Sequence, residues 1–265
     1  MVTNHLLQLL TLTAMEPPVA LDAQALRDQK LQVLQAMRPM SVDEVKQRTV
    51  RGQYGAGTVA GQPAARYRDE PGVQARSDTE TYAAIDFRID NWRWEGVPFY
   101  VRTGKRLGVQ RTEVVVHFKR TPQSLFAPAP EQPTGQNLIT LRIQPDDGIT
   151  IAFAAKRPGD ALRAIGVEAD FSYEKSFGGK VPTAYATLLL DVMLGDQTRF
   201  TRRDEVEAEW RVITPIEEAW ARTPAPAFPN YVAGTDGPVE SNRLLENRGR
   251  RWRPSARRTD GPETS

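Results

Sequence analysis

The 265-residue chain has no cysteine. This absence excludes disulfide frameworks, thiolate nucleophiles and cysteine-based metal sites, and makes a reducing cytoplasm the expected compartment. Histidine is nearly absent too, with only His5 and His117, so imidazole acid–base chemistry has two candidates. No stretch approaches the ~20 apolar residues of a membrane span. Leu6 to Ala14 resembles a short signal-peptide core, but no Lys or Arg precedes it and Glu16-Pro17-Pro18 follows, so no leader is expected. Charge of one sign is also missing: 35 Lys+Arg face 33 Asp+Glu, a formal net charge of +2. That excess is too small to predict binding to nucleic acid or a membrane, and it is local, with Arg248, Arg250, Arg251, Arg253, Arg257 and Arg258 crowding the end. Finally, no G-x-G-x-x-G follows a strand and opens a helix. Gly55 and Gly57 sit in loop composition, so the chain is expected to have no dinucleotide-binding domain of its own.

What is present is periodic. Asn4 to Met15 is apolar on most sides, as a helix buried on several faces would be, and Pro17-Pro18 ends it. Asp22 caps a second helix with Leu26, Val33, Leu34 and Met37 at helical spacing, stopped at Arg38-Pro39. Residues 41 to 80, rich in Gly, Pro, Arg and Asp, read as a long irregular connection. From Thr81 to about Phe171 the period is two. Ile85, Phe87 and Ile89 alternate with Asp86, Arg88 and Asp90, Val114 to Phe118 repeats the pattern, and Leu138 to Gln144 turns through Pro145-Asp146-Asp147-Gly148 into Ile149 to Phe153. One packed and one polar face is expected, with Arg142 and Gln144 on the same face. Helical spacing returns over Thr183 to Leu194 and from about Arg203 to Trp220, with an interruption at Pro215, and a short helix falls near Pro238 to Leu245. The expected class is α+β: a helix pair, then a large mostly antiparallel, mixed sheet with helices packed on one face.

The run Asp90-Asn91-Trp92-Arg93-Trp94-Glu95-Gly96-Val97-Pro98-Phe99-Tyr100-Val101-Arg102-Thr103-Gly104-Lys105-Arg106-Leu107 resembles the signature of the glucose-6-phosphate dehydrogenase C-terminal domain. Further matches fall in the family's order: Asn4-His5-Leu6-Leu7-Gln8-Leu9-Leu10, Ala14-Met15-Glu16-Pro17-Pro18, Arg51-Gly52-Gln53-Tyr54-Gly55, Leu190-Asp191-Val192, Phe200, Trp210-Arg211, Thr214-Pro215, and Tyr231, Gly234, Gly237-Pro238. The resemblance covers a domain of residues 1–253, and 254–265 is expected to be a disordered basic-polar tail.

The resemblance implies oxidation of the C1 hydroxyl of glucose 6-phosphate to the lactone, with hydride passed to NADP⁺ or, in some members, NAD⁺. His5 matches the family's general base, a job suited to imidazole with its unperturbed pKa of ~6.5. Lys105 matches a lysine that binds the sugar phosphate, and Gln144 a substrate-contacting glutamine of some members. Gln110 stands where the family commonly places a second basic substrate residue. Either Arg111 carries that cation one residue later or the contact is weakened. Some eukaryotic members bind a second, structural NADP⁺ here; Arg102, Arg111, Arg142 and Trp252 fall on or near its positions, but Val115 and Asp236 depart from it, and no structural nucleotide is expected.

Family members carry a Rossmann domain ahead of this region, together with an aspartate that orients the histidine and would precede Met1 here. The chain is therefore expected to begin at an internal methionine of a longer protein and to be inactive without the NADP-binding half. Its expected partners are glucose 6-phosphate, a second copy joined through the sheet, and a complementary N-terminal half. The alternatives are a non-catalytic dimerisation or sugar-phosphate-binding module, or a truncated gene fragment. On the bland side, His117 reads as a solvated sheet residue and Arg142 as an ion-pair residue. Lys105-Arg106 could be an ordinary charged strand end, and Trp92, Trp94, Trp210 and Trp220 core or interface aromatics.

Overall fold

A computed structural model describes residues 1–119, 127–128, 136–159, 162–178, 184–246 and 248–253. The tail 254–265 and most of the proline-rich stretch 122–133, expected as a surface loop, lie outside them. The chain is α+β and divides into two compact units, one made of Met1–Val109 with the chain from Ala184 onward, the other of Gln110–Thr183.

The first unit opens with α1, a π-helical turn over Val2–Leu7 that continues as α-helix over Gln8–Ala14. Helix α2, Ala23–Gln35, is capped as expected by Asp22, whose carboxylate accepts the Ala25 N–H at 2.8 Å. The expected irregular connection is more ordered than its composition suggested. It holds α3 (Val42–Arg48), β1 (Thr49–Gly52), β2 (Tyr54–Gly55) and the hairpin β3 (Gly57–Val59) to β4 (Gln62–Ala64). Helix α3 starts on a reciprocal cap: the Ser41 N–H donates to Glu44 at 2.8 Å and the Glu44 N–H to Ser41 Oγ at 3.3 Å. The Ser41 hydrogen bonds hold the Glu44 carboxyl below the usual carboxylate range. Strands β5 (Tyr82–Phe87) and β6 (Phe99–Gly104) then join β1 in a three-stranded antiparallel sheet, ordered β1-β5-β6.

The second unit is a sheet ordered β7-β9-β10-β11-β8, from β7 (Thr112–His117), β8 (Ala127–Pro128), β9 (Leu138–Gln144), β10 (Gly148–Lys156) and β11 (Arg163–Ser172), followed by α4 (Tyr173–Phe177). The chain returns to the first unit with α5 (Ala184–Leu194), α6 (Arg203–Arg222), β12 (Tyr231–Val232, paired with β2) and α7 (Arg243–Glu246). Helix α6 passes through Pro215 without the expected break. Its stripe of Ala208, Val212, Ile213, Ile216 and Ala219 is buried, and that packing outweighs the lost backbone hydrogen bond.

Strand β5 departs from the expected half-polar alternation, because every one of its residues is buried. It lies between two cores. Ile85 and Phe87 join Leu7, Leu10, Leu34, Met37, Val212 and Ile216, whereas Tyr82 and Ala84 join Val50, Tyr54, Tyr231, Leu244 and Leu245. Asp86 is consequently buried, which pushes its carboxyl above the usual range, and it stays paired to Arg88 at 2.5 Å. Trp94 and Trp220 pack on the first core as expected, but Trp92 is 103% exposed and Trp210 is 45% exposed.

In the five-stranded sheet the expected two faces are present. The pairings Ile149 with Leu141 and Ile151 with Ile139 put these residues on one face with Val114, Val116 and Phe153. The opposite face carries Thr140, Arg142, Thr150 and Asp170. Arg142 lies across it, bonded to Thr150, Asp170 and the Phe171 carbonyl.

Candidate active site

His5 sits in the π-helical opening of α1. The Leu6 N–H reaches the Met1 carbonyl, five residues back, at 3.3 Å, while the His5 N–H reaches the same oxygen at 3.1 Å. This wider turn buries Thr3 and Leu7 and leaves Asn4 and His5 exposed. Such turns occur often at functional sites. Among the described residues the His5 imidazole has no hydrogen bond or ion pair. The turn packs against β6, and Val2 and Val101 both cover the first core. The element that carries His5 thus rests on the strand that leads to Lys105.

Lys105 and Arg106, adjacent in sequence, are used differently. The Arg106 guanidinium is committed to Glu70 at 3.0 Å, and the same carboxylate accepts the Tyr54 hydroxyl at 3.2 Å. The Lys105 ammonium is exposed and has no partner among the described residues. Its backbone, by contrast, is clamped on both sides: its N–H donates to the Thr81 carbonyl at 2.8 Å and its carbonyl accepts the Tyr231 hydroxyl at 2.9 Å. A chain of donors completes the clamp. The Tyr54 N–H donates to Thr81 Oγ1 at 3.1 Å, and Thr81 Oγ1 lies 2.9 Å from the Tyr231 hydroxyl. Burial pushes the Tyr231 phenol up to about 12, so it remains a donor across the neutral range. Arg106 takes φ of 53°, and its carbonyl accepts the Gly234 N–H at 2.7 Å. The result is a free cation on a fixed turn.

Gln110 and Gln144 both belong to the second unit. Gln144 ends β9 opposite Thr112, two residues after Gln110, so both glutamines lie toward one end of the β7–β9 pair, and both are exposed. Arg111 pairs with Glu113 at 3.2 Å, and Arg142 is held by Asp170. The cation one residue after Gln110 is therefore already engaged within its own sheet.

A family model described as glucose-6-phosphate dehydrogenase, C-terminal domain, matches residues 1–253. The chain belongs to this family. Glucose-6-phosphate 1-dehydrogenase of Aggregatibacter actinomycetemcomitans is 46% identical over 253 residues, 96% of this chain and 50% of that protein. The Chlamydia pneumoniae protein of the same name is 44% identical over 256 residues, 96% of this chain and 49% of that protein. The chain thus spans about half the length of the curated relatives it matches. A solved structure titled glucose-6-phosphate dehydrogenase in complex with its substrate glucose-6-phosphate has a TM-score of 0.81 at 34% identity, covering 96% of this chain and 50% of that one. The Mycobacterium avium glucose-6-phosphate 1-dehydrogenase structure gives 0.76 at 34% identity, covering 96% and 49%.

Gln53 and Gly237, matched to the glucose-6-phosphate dehydrogenase family domain on sequence, support the Lys105 turn together with Asn230, which the sequence did not single out. Gln53 donates to the Ser77 and Thr79 carbonyls at 3.0 and 2.9 Å, which fixes the approach to Thr81. Asn230 accepts the Gln53 N–H at 2.9 Å next to the cis Phe228-Pro229 bond. Gly237, with φ of 102°, lies so close to Tyr82 that a Cβ would be 2.4 Å from its ring. Only the glycines signalled this in the sequence. Beside the turn lies a cavity of about 550 Å³, bordered by Arg102, Gly108, Asp236, Gly237 and Trp252, with Arg102 stacked 4.7 Å from the Trp252 ring. His5 does not line it. Among the described residues no group of three or more His, Asp or Glu could hold a metal ion, and no helix is long and apolar enough to cross a membrane. The parallel pairings among them, β2 with β12 and β8 with β11, involve two residues each. Neither is a strand–helix–strand unit of the kind that carries a nucleotide-binding turn.

Proposed function

We propose that this chain is the substrate-binding and dimerisation half of a glucose-6-phosphate dehydrogenase of the oxidative pentose phosphate pathway, acting in the cytoplasm. The observation that carries the reading is the presence, within one unit, of an exposed imidazole and of an exposed ammonium on a clamped turn, neither with a partner among the described residues. His5 takes the C1 hydroxyl proton of glucose 6-phosphate. Lys105 offers three donors on a flexible stem to the anionic and hydroxyl oxygens of the substrate. NADP⁺, held by a complementary N-terminal half, supplies the hydride acceptor when bound. Turnover requires both halves, because positioning donor and acceptor accounts for much of the catalysis.

Substrate binding needs no cofactor, so it can be titrated on this chain. Lys105→Met is expected to weaken glucose 6-phosphate binding about 10- to 100-fold by calorimetry, the equivalent of one charge-assisted hydrogen-bond group. Unchanged affinity would refute the assignment of Lys105.

The apolar face of the second unit supports a homodimer. Val116, Ile143, Ile151 and Phe153 are each more than a third exposed there, a run of apolar surface that calls for a cover. Light scattering is expected to give a dimer for the parent chain and a monomer for Ile151→Lys, and a dimer that survives that substitution would move the interface elsewhere. A dimer that ignores glucose 6-phosphate would instead identify a non-catalytic assembly module.

A further inference from the structure

Three charged side chains are buried where α1, α2 and α6 meet. Lys30 of α2 pairs with Glu205 of α6 at 2.6 Å, and Glu205 is wholly buried. One helical turn further along α6, Glu209 is 2% exposed and accepts the Gln8 side-chain amide at 2.6 Å. Glu205 is further held by the Arg202 N–H at 3.2 Å. The lysine therefore has its own partner, and Glu209 is left facing Gln8.

Gln8 occupies a particular place. It is the first residue of the α-helical part of α1, at the junction where the π-helical turn with His5 ends. Among the described residues, the Gln8–Glu209 bond is the one side-chain hydrogen bond that ties Met1 to Leu12 to another element. The rest of the anchoring of α1 comes from Val2, Leu7, Leu10 and Ala14 in the first core and, at the far end of the helix, from the Trp94 indole N–H, which donates to the Ala14 carbonyl at 2.7 Å. Apolar contacts resist withdrawal of a helix more than rotation about its axis, because dispersion and burial have little directionality. A hydrogen bond of fixed length at the junction does resist rotation.

We propose that Glu209 is a positioning residue for the reaction: by holding the Gln8 amide it fixes the π-helical turn that aims His5. The proposal rests on the reading of His5 as the base. Burial pushes the Glu209 carboxyl above the usual range, opposed by the Gln8 hydrogen bond, reinforced by the neighbouring Glu205 and opposed again by Lys30. Its grip does not depend on that protonation, because an ionised or a neutral carboxyl offers Oε1 as acceptor. A glutamine at position 209 offers the same oxygen.

The test uses the full chain carrying His117→Gln, in which His5 is the only imidazole, and reads two signals by NMR. One is amide hydrogen exchange along α1, the other the shift of the His5 imidazole on saturation with glucose 6-phosphate. Glu209→Ala is expected to speed exchange over Leu6 to Leu10 at least ten-fold and to cut the His5 shift at least three-fold, while Glu209→Gln stays within two-fold of the parent in both. Gln8→Met, which leaves α6 intact, is expected to match Glu209→Ala, and it decides the question if the alanine variant does not fold. Parent-like behaviour of both disruptive variants overturns the proposal. So does failure of Glu209→Gln to restore either signal, or loss of protection spread evenly through α2 and α6. If glucose 6-phosphate leaves His5 unmoved in the parent, the reading of His5 fails, and the exchange data still decide whether Glu209 holds α1.

Discussion

His5→Asn, assayed with the N-terminal half of a relative and NADP⁺, is expected to lower kcat about 100- to 10,000-fold, the usual contribution of a positioned general base. KM for glucose 6-phosphate is expected to stay within a few-fold. In the proposed reading, proton removal is an interaction of the transition state, whereas the substrate's phosphate and hydroxyls would be held by other groups in the ground state as well. Asparagine preserves a polar, solvent-facing side chain on the same π-helical turn but has no basic nitrogen. It therefore separates loss of the base from loss of the helix. The parent chain without the added half is expected to show no turnover, because in the proposed reading the hydride acceptor is held by that half. Turnover by the chain alone would overthrow that division of labour, and a kcat for His5→Asn close to the parent's would remove His5 from the role of base.

Periodicity and caps made much of the fold legible. Asp22 and the spacing of Leu26, Val33, Leu34 and Met37 marked α2, and the alternation around Pro145-Asp146-Asp147-Gly148 marked the β9–β10 hairpin, because these signals are local. The stretch 41–80 misled for the opposite reason. Its glycines and arginines look like loop composition, yet Gly52, Gly55 and Gly57 are small because other backbone or side chains pass close by. Strand β5 alternates like a half-exposed strand, and only the tertiary arrangement covers the face that carries Tyr82 and Ala84, with Val50, Tyr54, Tyr231, Leu244 and Leu245. His5 and Lys105 could be named as candidates from the sequence because their chemistry stands in the open, on exposed positions. The supports of the Lys105 turn could not. Tyr231, Thr81 and Tyr54 come together from positions up to 177 residues apart (231 − 54), and no period links them. The buried charges left a fainter mark. Lys30 falls four residues after Leu26 and three before Val33, and Glu205 and Glu209 precede Val212 and Ile216 on one stripe of α6, so charged residues stood at core positions of otherwise ordinary amphipathic helices.

The clamped turn also makes the first unit unusually sensitive at one glycine. Gly234 has φ of 91°, and a Cβ there would lie 1.9 Å from the Thr58 carbonyl oxygen. The opposing backbone is equally close, since a Cβ on Gly57 would lie 2.1 Å from the Ala233 carbonyl oxygen. These segments are joined by the Thr58 N–H to the Ala233 carbonyl at 3.2 Å, and the Gly234 N–H holds the Arg106 carbonyl at 2.7 Å. No rotamer change can relieve an overlap between backbone atoms, so the strands must part. Gly234→Ala is therefore expected to cost about 3–5 kcal/mol, the range reached when strain adds to lost hydrogen bonds. For a chain of this size that lowers the unfolding temperature by roughly 6–20 °C. Gly61→Ala is the matched control, because Gly61 has φ of 79° with nothing within 4 Å of the added carbon. It is expected to cost only about 1 kcal/mol, from the left-handed backbone alone. Equal stability of the two variants in calorimetry would show that the close approach of 57–58 to 233–234 is not what fixes the turn. If the difference appears, glucose 6-phosphate binding is expected to weaken in Gly234→Ala at temperatures where the variant is still folded, because releasing the Arg106 carbonyl loosens the backbone that presents Lys105.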